Sequence, residues 1–345
     1  MPAAIPNEGL LRYLLENYYS AADKSAEQGY VSSHWRHFSQ LFDVKLDSAG
    51  NLIALSGVGF GSGNWAHLPH RVLDQLCILT HLVYLPHRRR IFQLLRGTAA
   101  KVCKASGLDP TMDVFRQVCS LELLLRHISK ENRINPVPLK FLMFGDGFGV
   151  LSAMLKAVFP SSTIVMVDIG RTLLFQAYYC QKVHPQRRHE LVTAVQNPDD
   201  ADFVYCPAEL LDELDGFTFD VATNIVSMQE MDNATIQNYF AFLRSHLRPD
   251  NIFYCCNRES KTLFDGEVTE FRRYPWSERD RYLLDDSCPW TLYYFLWGRA
   301  ERGPRTFGIR VPLASYYDGR VLHRVAVMET SQMNNPESPR NVPAN

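Results

Sequence analysis

Residues 140–170, KFLMFGDGFGVLSAMLKAVFPSSTIVMVDIG, leave this chain few choices of fold. An apolar run from Phe141 to Phe144 meets Gly145, Gly147 and Gly149 in alternation. A helical pattern follows, then a turn at Pro160-Ser161-Ser162 and a second apolar run ending in Asp168. That order predicts strand, glycine loop, helix and strand, the opening of a parallel α/β sheet. The glycines let the chain turn sharply off a buried strand and bring its backbone against a ligand, with the amides of the helix start facing it. Asp168 falls 23 positions after Gly145 (145 to 168), at the carboxyl end of the second strand, where a carboxylate can accept hydrogen bonds from a ribose diol. The pairing points to a nucleoside-bearing cofactor. A dinucleotide fingerprint counted from Gly145 needs a small residue where Val150 stands; counted from Gly147 it finds Ser152. The dinucleotide reading stays open, whereas the G-x-G-x-G spacing suits S-adenosyl-L-methionine, which has no pyrophosphate to seat.

The 345 residues could form one large domain or two, and 46% hydrophobic content is ample for a buried core. Lysine and arginine total 36 against 37 acids, so no net field argues for nucleic acid or an anionic membrane as the main partner. The eight cysteines show no C-x-x-C spacing, which predicts reduced, buried thiols and a cytoplasmic setting. The first residues lack a basic leader followed by an apolar segment, so no secretory signal is expected. The most apolar helical window, Val72 to Leu85, is interrupted by Asp74, Gln75 and His81 and is too short to span a bilayer. Residues 331–345 have the Asn, Pro and Ser bias of a disordered tail.

Along the chain, residues 7–22 carry leucines and tyrosines at helical spacing, with Asn7 as the cap. Two alternating segments flank Ser48-Ala49-Gly50-Asn51, a hairpin signal. The glycine-rich Gly57 to Trp65 has neither a clean strand before it nor a helix after it and reads as a loop near a site. Around it cluster His34, Trp35, His37, Trp65, His67 and His70; aromatic faces beside polar groups suit carbohydrate, although any single one of them is more often simply core or surface of a helical domain. Their spacings match no common zinc pattern, so no metal site is expected. Helical patterns run from His70 to Lys130 and a linker with two prolines from Glu131 to Pro138. After Asp168 come a helix, a strand at Phe203 to Cys206 whose turn at Pro207-Ala208 could frame an adenine, and a strand at Phe219 to Ser227. A helix capped by Asp232 or Asn233 follows, and two late strands are expected at Trp290 to Trp297 and Val321 to Glu329.

On these pieces the chain resembles the sugar O-methyltransferase family within the class I S-adenosylmethionine-dependent methyltransferases. The matching stretches are FGDGFGVLSAMLKAVFP, VDIGRTLLFQAYY, NIVSMQEMDNATIQNYF, Asn257-Arg258 and Tyr274 to Trp276, in the family's order from Lys140 to Trp276. The resemblance implies an α/β, Rossmann-like sheet of seven strands with the last antiparallel. It also implies a mostly helical substrate-side region over 1–135, a cofactor domain over 136–330, and S-adenosyl-L-methionine as cofactor. The residues expected to hold the cofactor are Gly145, Asp146, Gly147, Gly149, Asp168, Ile169, Pro207, Ala208 and Asn224. His34, His37, Trp65, His67 and Gln229 are expected to meet a sugar or glycan acceptor. Many class I methyltransferases carry an acid two positions before the first glycine, where this chain has Met143, and Asp146 can supply it from inside the loop.

Methyl transfer from a sulfonium is an in-line displacement, and a sugar hydroxyl must also lose its proton, which a positioned base assists. The base is expected near the end of the fourth strand. Glu230, flanked by Gln229 and Met231, is the acid placed there, and partial desolvation would raise its pKa. Electrostatics at the following helix start explain the same acid equally well, and His34, His37 and His67 are further candidates. Asn224 is followed by Ile225 and Val226 rather than by two prolines and an aromatic, which argues against methylation of nucleic-acid bases. An NAD-linked oxidoreductase and a catalytically inactive cofactor-binding protein are the competing classes.

Overall fold

The apolar runs between residues 140 and 258 have the composition of strands covered on both faces, and in the computed structural model they form the middle of one sheet. The structure describes all residues except 1–7, 21–22, 49, 51, 57–67, 129–137, 198–199, 296–304, 307–308, 311–313, 317–318 and 332–345. The expected loop at Gly57 to Trp65, with Trp65 and His67, lies outside the described residues, as do Asn7 and the tail from 332.

Helices α1 (Glu8–Leu15), α2 (Lys24–Glu27) and α3 (Ser33–Phe38) precede a hairpin of β1 (Asp43–Leu46) and β2 (Leu52–Ser56). The α-helix expected over 7–22 stops at Leu15, and Glu16–Ser20 continue as a wider π turn. Then come α4 (Leu68–Tyr84), α5 (Arg88–Leu94), α6 (Ala100–Ser106) and α7 (Met112–His127). The α/β part follows as β3 (Lys140–Phe144), α8 (Val150–Val158), β4 (Thr163–Asp168), α9 (Gly170–Val183), β5 (His189–Leu191), β6 (Phe203–Pro207), β7 (Phe219–Ile225), α10 (Asn233–His246) and β8 (Leu247–Arg258). A small hairpin of β9 (Ser260–Thr262) and β10 (Val268–Glu270) leads to β11 (Arg281–Ser287) and β12 (Tyr293–Phe295). The last strands are β13 (Arg305–Thr306), β14 (Ile309–Arg310), β15 (Ala314–Tyr316) and β16 (Val321–Val327).

Among the described residues the central sheet has eight strands in the order β11-β16-β8-β7-β3-β4-β6-β5. β16 runs antiparallel to both β8 and β11, and the strands from β8 to β5 are parallel. The expected seven strands with a reversed last one are therefore present, and the short β5 adds an eighth at the edge. One expectation is corrected. The aromatic stretch at Trp290 to Trp297 does hold a strand, β12, but this pairs with β15 in a separate two-stranded ladder, and the edge of the central sheet is β11. β11 is exposed or half-buried along its whole length, so its sequence, RYLLDDS, has no buried stripe to announce it.

From β3 the chain winds through β4, the edge strand β5 and then β6 on one side, and crosses to β7 and β8 on the other. The carboxyl ends of β3 and β7 flank this reversal of strand order, the place where doubly wound sheets open a ligand crevice. One face of the sheet is covered by α10 residues such as Phe240 and Leu243. The other shares a single cluster with the N-terminal helices: Leu14, Phe115 and Leu124 pack in the same core as Phe141, Met166, Tyr205 and Tyr254.

Candidate functional site

At the end of β3, Gly145, Gly147 and Gly149 all adopt left-handed backbone, with φ of 70°, 56° and 75°. The turn is also crowded: a Cβ on Gly145 would overlap the Ser227 hydroxyl, and one on Gly149 would lie 2.8 Å from Cys180 Sγ. Glycine is thus required twice over, by backbone angle and by close approach. Phe148 stacks on Phe175 and Tyr179 of α9, which holds the loop against the helix behind it.

Asp168 ends β4 directly across from this loop. Its Oδ1 accepts from the Ile169 amide at 2.8 Å and its Oδ2 from Gln176 Nε2 at 2.7 Å. Burial pushes its pKa up to about 8 against these two hydrogen bonds. Asp146 Oδ2 accepts from the Ser152 amide at 2.8 Å, so the loop acid caps the start of α8; burial lifts its pKa to about 6.

These groups line a cavity of about 190 Å³. Its floor is Gly145, Asp146, Gly147 and Asp168, and one side is Ile225, Val226 and Ser227 at the end of β7. Val226 holds φ of 56°, a left-handed conformation unusual for a β-branched side chain, with its amide bonded to Cys256 O at 2.7 Å. Strained backbone of this kind persists where the surroundings enforce it, and it concentrates at functional sites. Helix α7 supplies Asp113, Arg116 and Gln117, the first two paired at 2.5 Å. Trp35, Gln229, Glu230 and Arg258 complete the wall.

Glu230 sits where three distant segments meet. Its Oε1 lies 2.9 Å from Lys261 Nζ on β9 and 3.4 Å from His34 Nε2 on α3, and its backbone carbonyl accepts from the Ser32 hydroxyl. Burial alone would raise its pKa, as the sequence suggested, but His34 and Lys261 outweigh burial and hold it below the ordinary carboxylate value. That expectation is corrected: Glu230 is an ionised carboxylate here, and the cap of α10 is Asp232, which accepts from the Thr235 amide at 2.7 Å. His37 does not reach the carboxylate; it packs on Phe264, as does His34, at ring distances of 4.8 and 5.8 Å.

Asn224 is turned away from the cavity. Its Nδ2 donates to Phe144 O at 3.0 Å, and its Oδ1 accepts from the Met228 amide and Asn257 Nδ2. It ties the ends of β3, β7 and β8 together, in place of the direct cofactor contact expected of it. Gln229 is similarly braced, accepting from the Arg258 amide at 2.7 Å, yet it stays on the cavity wall. Ile169, Pro207 and Ala208 lie at the neighbouring edge, outside the cavity lining. There Tyr18 and Ser25 both donate to Glu209, Ser25 also accepts from the Gly170 amide, and the Tyr18 ring fills the space a side chain at 170 would need.

Sequence reasoning missed Gln176, Lys261, Arg116 and Gln117. Gln176 lies on the helix that directly follows Asp168, eight residues on (168 to 176); the others reach the site only through tertiary folding. Among the described residues no group of His, Cys, Asp or Glu could hold a metal, and no helix is long and apolar enough to cross a membrane.

No protein-family model and no curated protein matches the chain. Solved structures match it in part. PKMT2 from Rickettsia typhi, in complex with AdoHcy, is 18% identical with a TM-score of 0.26, covering 34% of this chain and 20% of that one. TehB from Haemophilus influenzae is 10% identical with a TM-score of 0.37, covering 56% and 59%. The N-methyltransferase NodS from Bradyrhizobium japonicum, in complex with S-adenosyl-L-homocysteine, is 11% identical with a TM-score of 0.34, covering 62% and 86%. The chain spans less than two thirds of the first two. Likenesses this slight decide nothing about chemistry, and the α/β architecture rests on the strand order itself.

Proposed function

We propose that this protein is an S-adenosyl-L-methionine-dependent methyltransferase acting on a hydroxyl of a sugar or glycan. The observation that carries the cofactor is the pairing of a three-glycine left-handed loop with a buried carboxylate at the next strand end, on one cavity at the switch point of the sheet. Backbone at Gly145 to Gly149 would meet the cofactor, and Asp168 would accept from its ribose hydroxyls. Gln176 already holds one Asp168 oxygen and fixes the carboxylate's orientation. The sulfonium supplies the methyl group when bound.

The acceptor side is supported by Trp35, Gln229, Glu230 and Arg258, an aromatic face among polar groups of the kind that suits a sugar ring. Glu230, kept ionised, orients the acceptor hydroxyl by accepting from it. Glu230, on the cavity wall, would then take that proton as the oxygen attacks, with His34 Nε2 and Lys261 Nζ positioning its carboxylate. Methyl transfer then forms the new C–O bond as the C–S bond breaks. Incubation with the methyl donor and a panel of glycans, followed by S-adenosyl-L-homocysteine release, tests the reading. Release that depends on a glycan, lost in Glu230→Gln, is expected; NADH binding without any methyl transfer would overturn it in favour of an oxidoreductase.

A further inference from the structure

Helix α4 is apolar on two opposite faces. Its inner face is conventional: Leu73, Cys77, Ile78 and Leu82 are buried. Its outer face carries Val72, Leu76, Leu79 and Val83, which remain 46% to 62% exposed. A helix hydrophobic all round belongs in an interior, and a contiguous exposed stripe on a folded protein marks a contact surface. The polar side chains nearby are already engaged, since Gln75 donates to Pro110 O and Asp74 accepts from the Met112 amide.

We propose that this outer face of α4 pairs with the same face of a second copy of the chain, as an antiparallel helix pair about a two-fold axis. The four positions advance by 4, 3 and 4 residues (72, 76, 79, 83), the spacing of an interhelical seam. That spacing reads the same in both directions, so an antiparallel copy meets itself in register, with Leu76 of one copy facing Leu79 of the other. An isologous contact needs such self-complementarity, and antiparallel helices also oppose their dipoles favourably. Between Val72 and Val83 the outer face puts no charge into the seam. Four side chains about half exposed present roughly 350–400 Å², so the stripes would bury about 750 Å² in total, below the standard size of a specific interface, and the dimer is a weak, transient one. A membrane surface is the less favoured occupant, because an interfacial helix carries basic residues along a solvated polar face, and the face of α4 opposite the stripe is packed in the core.

Sedimentation velocity of the full chain over about 1 to 100 µM is the test. The mass should rise with concentration from 39.6 kDa towards twice that value. Leu76→Glu with Leu79→Glu should stay monomeric, and so should the corresponding double lysine variant, while an equimolar mixture of the two should dimerise. Melting of each monomeric variant reports whether it is folded. A wild-type chain that stays monomeric throughout overturns the proposal, as does a glutamate variant that dimerises as tightly as wild type. Wild-type monomers that bind vesicles of anionic phospholipid, lost in the glutamate variant, would assign the face to a membrane instead.

Discussion

A carboxyl pushed up to about 8, as Asp168 is, keeps in the folded protein a proton that the unfolded chain gives up near 3.8. Its contribution to stability is complete below the lower value and is lost as pH rises through the higher one. Asp146, raised to about 6, acts in the same direction. Thermal melting of the cofactor-free protein should therefore weaken from pH 4 to pH 8, and Asp168→Asn should flatten that slope and melt higher than wild type near pH 8. A melting temperature in Asp168→Asn that tracks wild type at every pH would contradict this. Ribose hydroxyls donate to the ionised form, so cofactor affinity should climb over the same window and level off above it.

The strand, glycine loop, helix and strand of residues 140–168 were legible because each signal is local: apolar runs, glycines where φ turns positive, an acid at a strand end. The Glu230 cluster was legible only as an acid at the right strand end. Its partners sit 196 residues before it (34 to 230) and 31 after it (230 to 261), and no spacing rule links them. The same tertiary convergence reverses the direction in which Glu230 titrates. It also predicts a structural cost: Glu230→Gln removes the charge facing Lys261 and should destabilise the fold by about 2–4 kcal/mol. Adding Lys261→Met should recover more than half of that loss in urea unfolding, and additive losses would show that the pair is not coupled.

Across the whole molecule the N-terminal helices form part of the sheet's own core. Leu14, Phe115 and Leu124 belong to the same core as the sheet, and Tyr18 and Ser25 are bonded to the Glu209 carboxylate beyond β6. A chain begun at Pro138 would expose that face of the sheet and should lose cooperative melting, rather than persist as a cofactor-binding remnant. The central claim concerns the cofactor, and calorimetry of the full chain with S-adenosyl-L-homocysteine, set beside NADH, tests it most directly. Binding of S-adenosyl-L-homocysteine alone is expected, weakened by about 1.5–3 kcal/mol in Asp168→Ala through loss of a charge-assisted hydrogen bond. Equal affinity in wild type and Asp168→Ala, or binding of NADH alone, would contradict it.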